Sequence, residues 1–278
     1  MKIETLNLQS FKDYLIEEEK SSATQEKYMR DVMAFSKWLS GKDVDKRAVL
    51  MYKEYLTENY APASVNSVLS SLNSFFDYFK MYSVKVKMLK IQKQIFAERD
   101  KELTKAEYER LLDAAKKRKN TKLYYLMQTI CSSGIRVSEL SSITVEAVKK
   151  GQATIKCKGK MRVILLPNEL CRMLLKFSKE ENIDKGAVFV TKSGKPLDRS
   201  TIWRMMKSLC KDANVSREKV FPHNLRHLFA RTFYTIQKDI VRLADILGHS
   251  SVNTTRIYTM ETGEIHRNKL QKLGLLRL

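Results

Sequence analysis

Residues 21–42 read SSATQEKYMRDVMAFSKWLSGK and carry a clear helical signal. Large apolar side chains recur there at spacings of four, three and four, namely Tyr28, Val32, Phe35 and Leu39. That spacing places them on one stripe of an α-helix, for which Thr24 is the predicted N-cap. A stripe of this kind needs neighbouring helices to cover it, so the stretch predicts a helical bundle.

The flanking sequence supplies partners for this helix. Residues 8–19, 43–60 and 61–82 each predict a further helix, and the last has its own apolar stripe of Val65, Leu69, Leu72, Phe75 and Phe76. Residues 84–100 are basic and lack a 3.6-residue period, which is typical of a linker between domains. We therefore expect the first domain to end near the start of this segment.

The remainder of the chain predicts a second helical domain with a small sheet. Thr104 and Glu107 have the spacing of a capping box, and residues 121–133 predict the next helix. Residues 153–167 alternate around KGK and predict a β-hairpin, and residues 187–200 predict a short strand and a turn. The predicted fold class is mainly α, with an α-rich second domain that contains a small antiparallel β-sheet. We expect the first domain at residues 1–83, a linker at residues 84–101 and the second domain at residues 102–278.

Charge is the strongest compositional signal. Lys plus Arg number 52 against 31 acidic residues, which gives a net charge of +21. A chain this basic is typical of proteins that bind nucleic acid. Only 9 Gly and 4 Pro occur in 278 residues, which favours a helix-rich fold with few tight turns.

Membrane and secretory signals are missing from the sequence. No stretch of about 18 apolar residues occurs, and the N-terminal residues lack the apolar core of a signal peptide. Four cysteines lie far apart without a CxxC pair, so we expect reduced thiols with neither a metal nor a disulfide role: Cys131, Cys157, Cys171 and Cys210. We therefore expect a cytoplasmic protein that does not enter a membrane.

Two short motifs bring basic and histidine residues into the second domain. In CSSGIRVSELSSI, Arg136 precedes Glu139 by three residues, which by itself is typical of a helical ion pair. In FPHNLRHLFA, His223 and Arg226 share one face of a predicted helix, with His227 beside them. Three of the 4 histidines of the chain lie in this motif and the next, which favours a functional cluster.

The stretch LGHSSVNTTRIYT, residues 247–259, adds a histidine and a tyrosine. Gly248 predicts the end of one helix, and Ser250 or Ser251 predicts the N-cap of another. His249 and Tyr258 therefore need not share one rigid helical face. A tyrosine at the end of a helix is often ordinary half-buried packing, so Tyr258 alone indicates little.

Taken together, these side chains suit chemistry at a phosphate diester. Arginine, lysine and histidine can stabilise the extra negative charge of a pentacoordinate phosphorus. A tyrosine hydroxyl can attack the phosphorus and form a covalent intermediate, while neighbouring groups take and supply protons. No acidic metal-binding cluster is evident in the sequence, so we expect no metal and no other cofactor.

The motifs SSGIRVSEL, KGK, HNLRH and LGHSSVNTTRIYT occur in the order and spacing of the tyrosine recombinases. The chain resembles the phage integrase and Xer branch of that family. SATQEKYMRDVMAFSKWL and YAPASVNSVLSSLNSFFDYF are similar to its N-terminal core-binding domain, which has a SAM-like helical fold. The resemblance therefore covers nearly the whole chain.

The resemblance implies a role for each motif residue. Tyr258 would be the nucleophile that forms a 3′-phosphotyrosyl bond. Lys158 in the hairpin would protonate the departing 5′ hydroxyl, although a hairpin one residue shorter than in many relatives leaves Lys160 as an alternative. The other catalytic positions would be Arg136, His223, Arg226 and His249. Glu139 and His227 would be supporting residues, and the predicted DNA contacts are Lys160 and Arg162.

The resemblance also implies a function. A homotetramer would exchange strands between two DNA duplexes with short inverted core sites, through a Holliday junction and without metal or ATP. Since the sequence shows no further arm-binding domain, we expect a simple recombinase that acts on short inverted core sites and not a large directional integrase complex. The expected role is integration, excision or inversion of a DNA segment. Xer-type resolution of chromosome dimers is an alternative. A type IB topoisomerase-like enzyme and a non-catalytic DNA-binding protein are others. A C-terminal tail with Leu270, Leu273 and Leu276 would dock either on a neighbouring subunit or on its own domain.

Overall fold

The computed structural model describes residues 7–92, 99–157, 160–260, 267–268 and 270–273. The chain divides into two compact units at residues 1–93 and 94–278. Each unit has its own hydrophobic core. The predicted two-domain, mainly α architecture is confirmed, with a two-stranded sheet in the second unit.

The N-terminal unit is a bundle of helices α1 to α4, which span Leu8–Glu17, Ser22–Leu39, Lys46–Asn59 and Pro62–Tyr78. The predicted stripes face its core. Val32, Phe35 and Leu39 are buried, and Tyr28 packs against them while partly exposed. The whole predicted stripe of α4 is buried as well. Apolar periodicity therefore identified the core of this unit correctly.

Two expectations for this unit were wrong at its edges. Helix α2 begins one turn earlier than expected, with Ser21 at the N-cap, and Thr24 lies in its first turn with its amide donating to Ser21. The expected linker is in part core, because Val84 and Val86 are buried in this unit. Asn73 also donates to the carbonyl of Val86 and accepts from its amide. The unit therefore extends beyond residue 83.

The C-terminal unit contains helices α5 to α13 and one hairpin. The helices span Lys105–Lys117, Thr121–Ser133, Val145–Lys149, Asn168–Glu180, Arg199–Ser208, Cys210–Ala213, Pro222–Gln237, Ile240–Leu247 and Val252–Thr255. The predicted capping box starts α5: Thr104 accepts from the amide of Glu107, whose carboxylate accepts from the amide of Thr104. Cys131, Cys171 and Cys210 are free thiols.

Strands β1, Gln152–Cys157, and β2, Lys160–Leu165, form the predicted antiparallel hairpin. Their register pairs Ile155 with Arg162 and Cys157 with Lys160. The prediction of a short strand within residues 187–200 is wrong. That segment makes only isolated bridges, one of them between Val190 and Pro196, since proline has no amide hydrogen to continue a ladder.

No helix in the described part of the chain is both long enough and apolar enough to cross a lipid bilayer.

Candidate active site

The site begins where α6 ends, at Gly134. This glycine adopts a left-handed backbone with a φ of +64°, and a Cβ atom there would lie 2.5 Å from Cδ1 of Phe229 on α11. The missing side chain lets α11 lie directly against the end of α6. As a result the carbonyl of Gly134 accepts a hydrogen bond from Arg226 of α11. Arg136 follows two residues later.

Arg136 is held by Glu139 at the start of a 3-10 helix, Val137–Ser142. Its amide donates to Oε2 of Glu139 at 2.9 Å, and its guanidinium donates to Oε1 at 3.1 Å. Burial favours a neutral Glu139, but the bond from the Arg136 amide and the charge of Arg162 outweigh it and lower the pKa of Glu139. Glu139 is therefore a buried carboxylate that holds Arg136, whose side chain stays 37% exposed.

His223 and Arg226 lie one turn apart on α11, which begins with Pro222. Arg226 is only 1% exposed. It donates to the carbonyls of Gly134 and Leu247, the latter at 2.7 Å, and its Nη2 lies 3.2 Å from Nε2 of His249. Burial and the charge of Arg136 lower the pKa of Arg226 to about 10, so it remains a cation at neutral pH.

His249 follows Gly248, the left-handed residue that ends α12. A guanidinium can only donate, so Nε2 of His249 accepts from Arg226. The proton of the ring then lies on Nδ1, which donates to Oγ1 of Thr255 at 2.8 Å. Burial and the charges of Arg226 and Arg136 lower the pKa of His249 to about 4, which favours this neutral form at pH 7.

Tyr258 ends a 3-10 turn that follows α13, and it is 6% exposed. Its ring stacks on His249 with 6.2 Å between centroids and meets His227 edge-on at 4.9 Å. Burial raises the pKa of the phenol, against the opposing effect of Arg226. The hydroxyl is therefore protonated at neutral pH. Apolar packing of the ring comes from Ala230, Leu243 and Leu247.

The α11 histidines form a pair beside Tyr258. The rings of His223 and His227 lie 4.6 Å apart. Burial lowers the pKa of His223, with a smaller contribution from the charge of Arg226. Burial also lowers the pKa of His227, to about 4, with a smaller contribution from His223. Both imidazoles are thus favoured in the neutral form, which is the form that can accept a proton.

The hairpin supplies Arg162 to the site, and it also contains the two candidate lysines. Lys158 lies outside the described residues, and Lys160 is described only as the first residue of β2. Arg162 reaches the site from β2. It donates to Glu139 and, at 2.7 Å, to the carbonyl of Ile246. Its guanidinium makes protein contacts here, and its role on DNA stays a prediction.

Thr255 is a site residue that sequence reasoning missed. It is fully buried and bonds the ring of His249. The only sequence signal was a threonine six residues after the histidine, within a turn that the Ser251 cap begins. Within the described residues, no group of three or more His, Cys, Asp or Glu side chains is placed to hold a metal ion.

Comparison with known proteins assigns both units. Residues 101–264 match the phage integrase family, and residues 8–81 match the phage integrase N-terminal SAM-like domain. Tyrosine recombinase XerH of Campylobacter jejuni is 36% identical over 167 residues, which cover 56% of this chain and 47% of that protein. Tyrosine recombinase XerA of Pyrococcus furiosus is 30% identical over 97% of this chain and 94% of that protein. A crystal structure of a lambda integrase tetramer bound to a Holliday junction shares the fold with a TM-score of 0.71, at 19% identity over 92% of this chain and 78% of that chain.

These findings define a class of protein, the tyrosine recombinases, which are enzymes of site-specific DNA recombination. The matched models cover most of the sequence, from the helical N-terminal unit to the Tyr258 segment. The chain belongs to the phage integrase family.

Proposed function

We propose that this chain cuts and rejoins double-stranded DNA through a covalent bond between Tyr258 and a 3′ phosphate. One observation carries the proposal: the buried phenol of Tyr258 lies against His227 and His249, and His249 accepts from the buried Arg226. A nucleophile, neutral imidazoles and cations therefore lie within one site. The roles that the family resemblance implies for Arg226, His249 and Tyr258 fit this geometry.

In the proposed cleavage step, the oxygen of Tyr258 attacks the phosphorus while the bond to the 5′ oxygen breaks. A neutral imidazole beside the phenol takes the phenolic proton. Lys158, or Lys160 in its place, donates a proton to the departing 5′ oxygen. Arg136 and Arg226 stabilise the charge that develops on the non-bridging oxygens.

Rejoining reverses this step with a different strand. A 5′ hydroxyl from the partner duplex attacks the phosphotyrosyl bond and returns Tyr258 to its free form. One phosphodiester is replaced by another, so the overall exchange needs no energy source such as ATP. The charge stabilisation comes from side chains of the chain itself, so the proposal assigns no step to a metal ion.

We further propose that strand exchange takes place in a homotetramer on DNA with short inverted core sites. The fold shared with a lambda integrase tetramer on a Holliday junction supports this assembly. Leu270 and Leu273 of the tail are 65% and 60% exposed, which supports docking on a neighbouring subunit, and Leu276 lies outside the described residues. A DNA-acting enzyme of this kind works in the cytoplasm.

For the biological role, we propose integration, excision or inversion of a DNA segment, with Xer-type dimer resolution as the second candidate. The matches to XerH and XerA are the reason to retain this second candidate. Deleting the gene distinguishes the two. Unresolved chromosome dimers in dividing cells support the Xer role. A DNA segment that no longer moves or inverts supports integration, excision or inversion.

Tyr258→Phe tests the proposed nucleophile. The substitution removes one oxygen and little volume, so we expect the variant to fold and to bind a nicked suicide site. We expect the wild type to form a denaturation-resistant protein–DNA adduct on that site, also in the presence of a chelator and without nucleotide. The variant should form none, because no other hydroxyl in the segment has a pKa near that of a phenol.

Tyr234→Phe is a matched control, because Tyr234 packs in the same apolar cluster as Tyr258. We expect this control to form the adduct at the wild-type rate. DNA attached to a peptide without Tyr258, or an undiminished adduct in Tyr258→Phe, contradicts the assignment. Relaxation of supercoils by a monomer, without exchange between duplexes, supports the topoisomerase-like alternative. Site binding without an adduct supports a DNA-binding protein without catalysis.

A further inference from the structure

Arg162 points inward from β2. Its strand neighbours Met161 and Val163 are 69% and 53% exposed, whereas Ile164 is 3% exposed. Because side chains alternate along a strand, Arg162 and Ile164 share the inner face. The Arg162 side chain is accordingly only 16% exposed. A cation turned away from solvent in this way needs partners within the protein.

Those partners belong to two separate parts of the site. One guanidinium nitrogen of Arg162 donates to Glu139, the carboxylate that also holds Arg136. The other donates to the carbonyl of Ile246 at 2.7 Å, in the last turn of α12 and three residues before His249. One side chain therefore links the hairpin, the Arg136 segment and the helix that leads to His249.

Gly248 is shaped to allow this link. A Cβ atom at Gly248 would lie 2.4 Å from Cδ of Arg162 and 2.9 Å from its Nε. The Arg162 side chain therefore passes across the end of α12, and a larger residue at Gly248 would require Arg162 to shift. The carbonyl of Gly248 in turn accepts from Arg136 at 3.3 Å, so both arginines contact the same turn.

We propose that Arg162 is a positioning residue, which joins Glu139 to the end of α12 and so fixes Arg136, His249 and the hairpin relative to one another. This positioning role differs from the role expected from the sequence, in which Arg162 contacts DNA. A phosphate contact needs N–H groups that reach solvent, whereas the Arg162 side chain is only 16% exposed and each of its terminal nitrogens donates to a protein acceptor. The inference rests on the proposed recombinase chemistry, since its main readout is cleavage by Tyr258.

The test compares Arg162→Met and Arg162→Lys. Lysine keeps the charge, but its single ammonium cannot reproduce the fork that reaches Glu139 and Ile246 together. We expect both variants to slow single-turnover cleavage of a saturating nicked site, by about 10²-fold for Met, as misplaced catalytic groups do. The final amount of adduct should match the wild type, because positioning changes the rate and not the fraction of active protein.

DNA binding separates positioning from phosphate contact. Loss of one phosphate contact lowers the slope of log affinity against log salt by about 0.9. We expect the slope of both Arg162 variants to equal that of the wild type. Arg172→Met, which removes an exposed arginine of α8 that pairs with Glu169, controls for the loss of one surface charge and should cleave at the wild-type rate.

Four outcomes would overturn the proposal. A lower salt slope in Arg162→Met, with Arg162→Lys cleaving normally, identifies a phosphate contact. A lower amount of adduct formed at the wild-type rate identifies a purely structural role, as does failure of both variants to fold. Normal cleavage by both variants shows that the link is dispensable. If the wild type itself forms no adduct, the recombinase proposal fails first, so the two failures are distinguishable.

Discussion

The two arginines that we propose as catalytic, Arg136 and Arg226, differ in burial, so their removal should have different consequences. Arg136→Ala removes a side chain that is 37% exposed, and we expect little change in stability. Arg226→Ala removes a buried side chain and leaves the carbonyls of Gly134 and Leu247 without their donor, at a cost of about 1–3 kcal/mol. Both variants should lose about 3 kcal/mol of transition-state stabilisation.

Urea unfolding and adduct formation on a nicked site measure these two effects separately. Arg172→Ala, on the exposed surface of α8, is the control for removal of a surface arginine. A near wild-type cleavage rate in either Arg136→Ala or Arg226→Ala contradicts its catalytic assignment. Equal loss of stability in both contradicts the structural part of the prediction.

The general acid is tested by a change in the substrate. Lys158→Ala and Lys160→Ala are each assayed on a DNA site whose 5′ bridging oxygen is replaced by sulfur. A thiolate leaves without a proton, so the modified site should restore cleavage only to the variant that has lost the acid. We expect restoration for Lys158→Ala. Restoration for Lys160→Ala alone assigns the role to Lys160.

At the residue scale, motif spacing predicted which side chains meet, but not what holds them. Arg136 and Glu139 are three residues apart, so local geometry was enough to pair them. The contact of Arg162 with Ile246 joins residues 84 positions apart. Such contacts depend on tertiary packing and leave no periodic trace in the sequence.

At the scale of elements, Gly134 determines how closely α6 and α11 approach. Gly134→Ala adds a methyl group 2.5 Å from Phe229 and strains a backbone with a φ of +64°. Gly151→Ala is the matched control: its φ is +70°, but nothing lies within 4 Å of the added methyl group. We expect the control to lose about 1 kcal/mol and Gly134→Ala about 1–3 kcal/mol more.

Urea unfolding midpoints compare the two variants, and an unchanged dependence on denaturant shows that both unfold from the same folded state. We also expect slower cleavage in Gly134→Ala alone, because Arg226 bonds the carbonyl of that residue. Equal midpoints for the two variants show that Phe229 moves aside without cost, and this contradicts the prediction.

Helices and strands were predicted correctly where the sequence carries strong local signals, such as capping residues. The helix over residues 121–133 has the predicted bounds, since Asn120 caps its start and Gly134 ends it. The strand expected in residues 187–200 failed because β-branched and aromatic residues indicate burial as much as strand pairing. Its Val188 and Phe189 are indeed buried, but among the residues that the structure describes this segment forms isolated bridges and no ladder.

At the scale of the whole molecule, the basic composition predicted nucleic acid as the partner, and the pattern of apolar residues predicted two units. The exact division was beyond the sequence. Residues 84–89 look like a basic linker, yet Val84 and Val86 lie in the first core and Lys85 pairs with Asp77. A short segment that alternates buried and charged residues gives too few positions for a period to show.

The net charge of +21 leads to a prediction for the intact chain on DNA. Each phosphate that the protein neutralises releases counterions, so log affinity should fall linearly with log salt at a slope of about −0.9 per contact. Tyr258→Phe should bind with the same slope as the wild type, because a phenol oxygen carries no charge at neutral pH, and it allows binding to be measured without cleavage. Titration of a labelled duplex between low and physiological salt gives the slope. A flat dependence contradicts DNA binding through the basic surface, and with it the assignment of a duplex as the substrate on which the site acts.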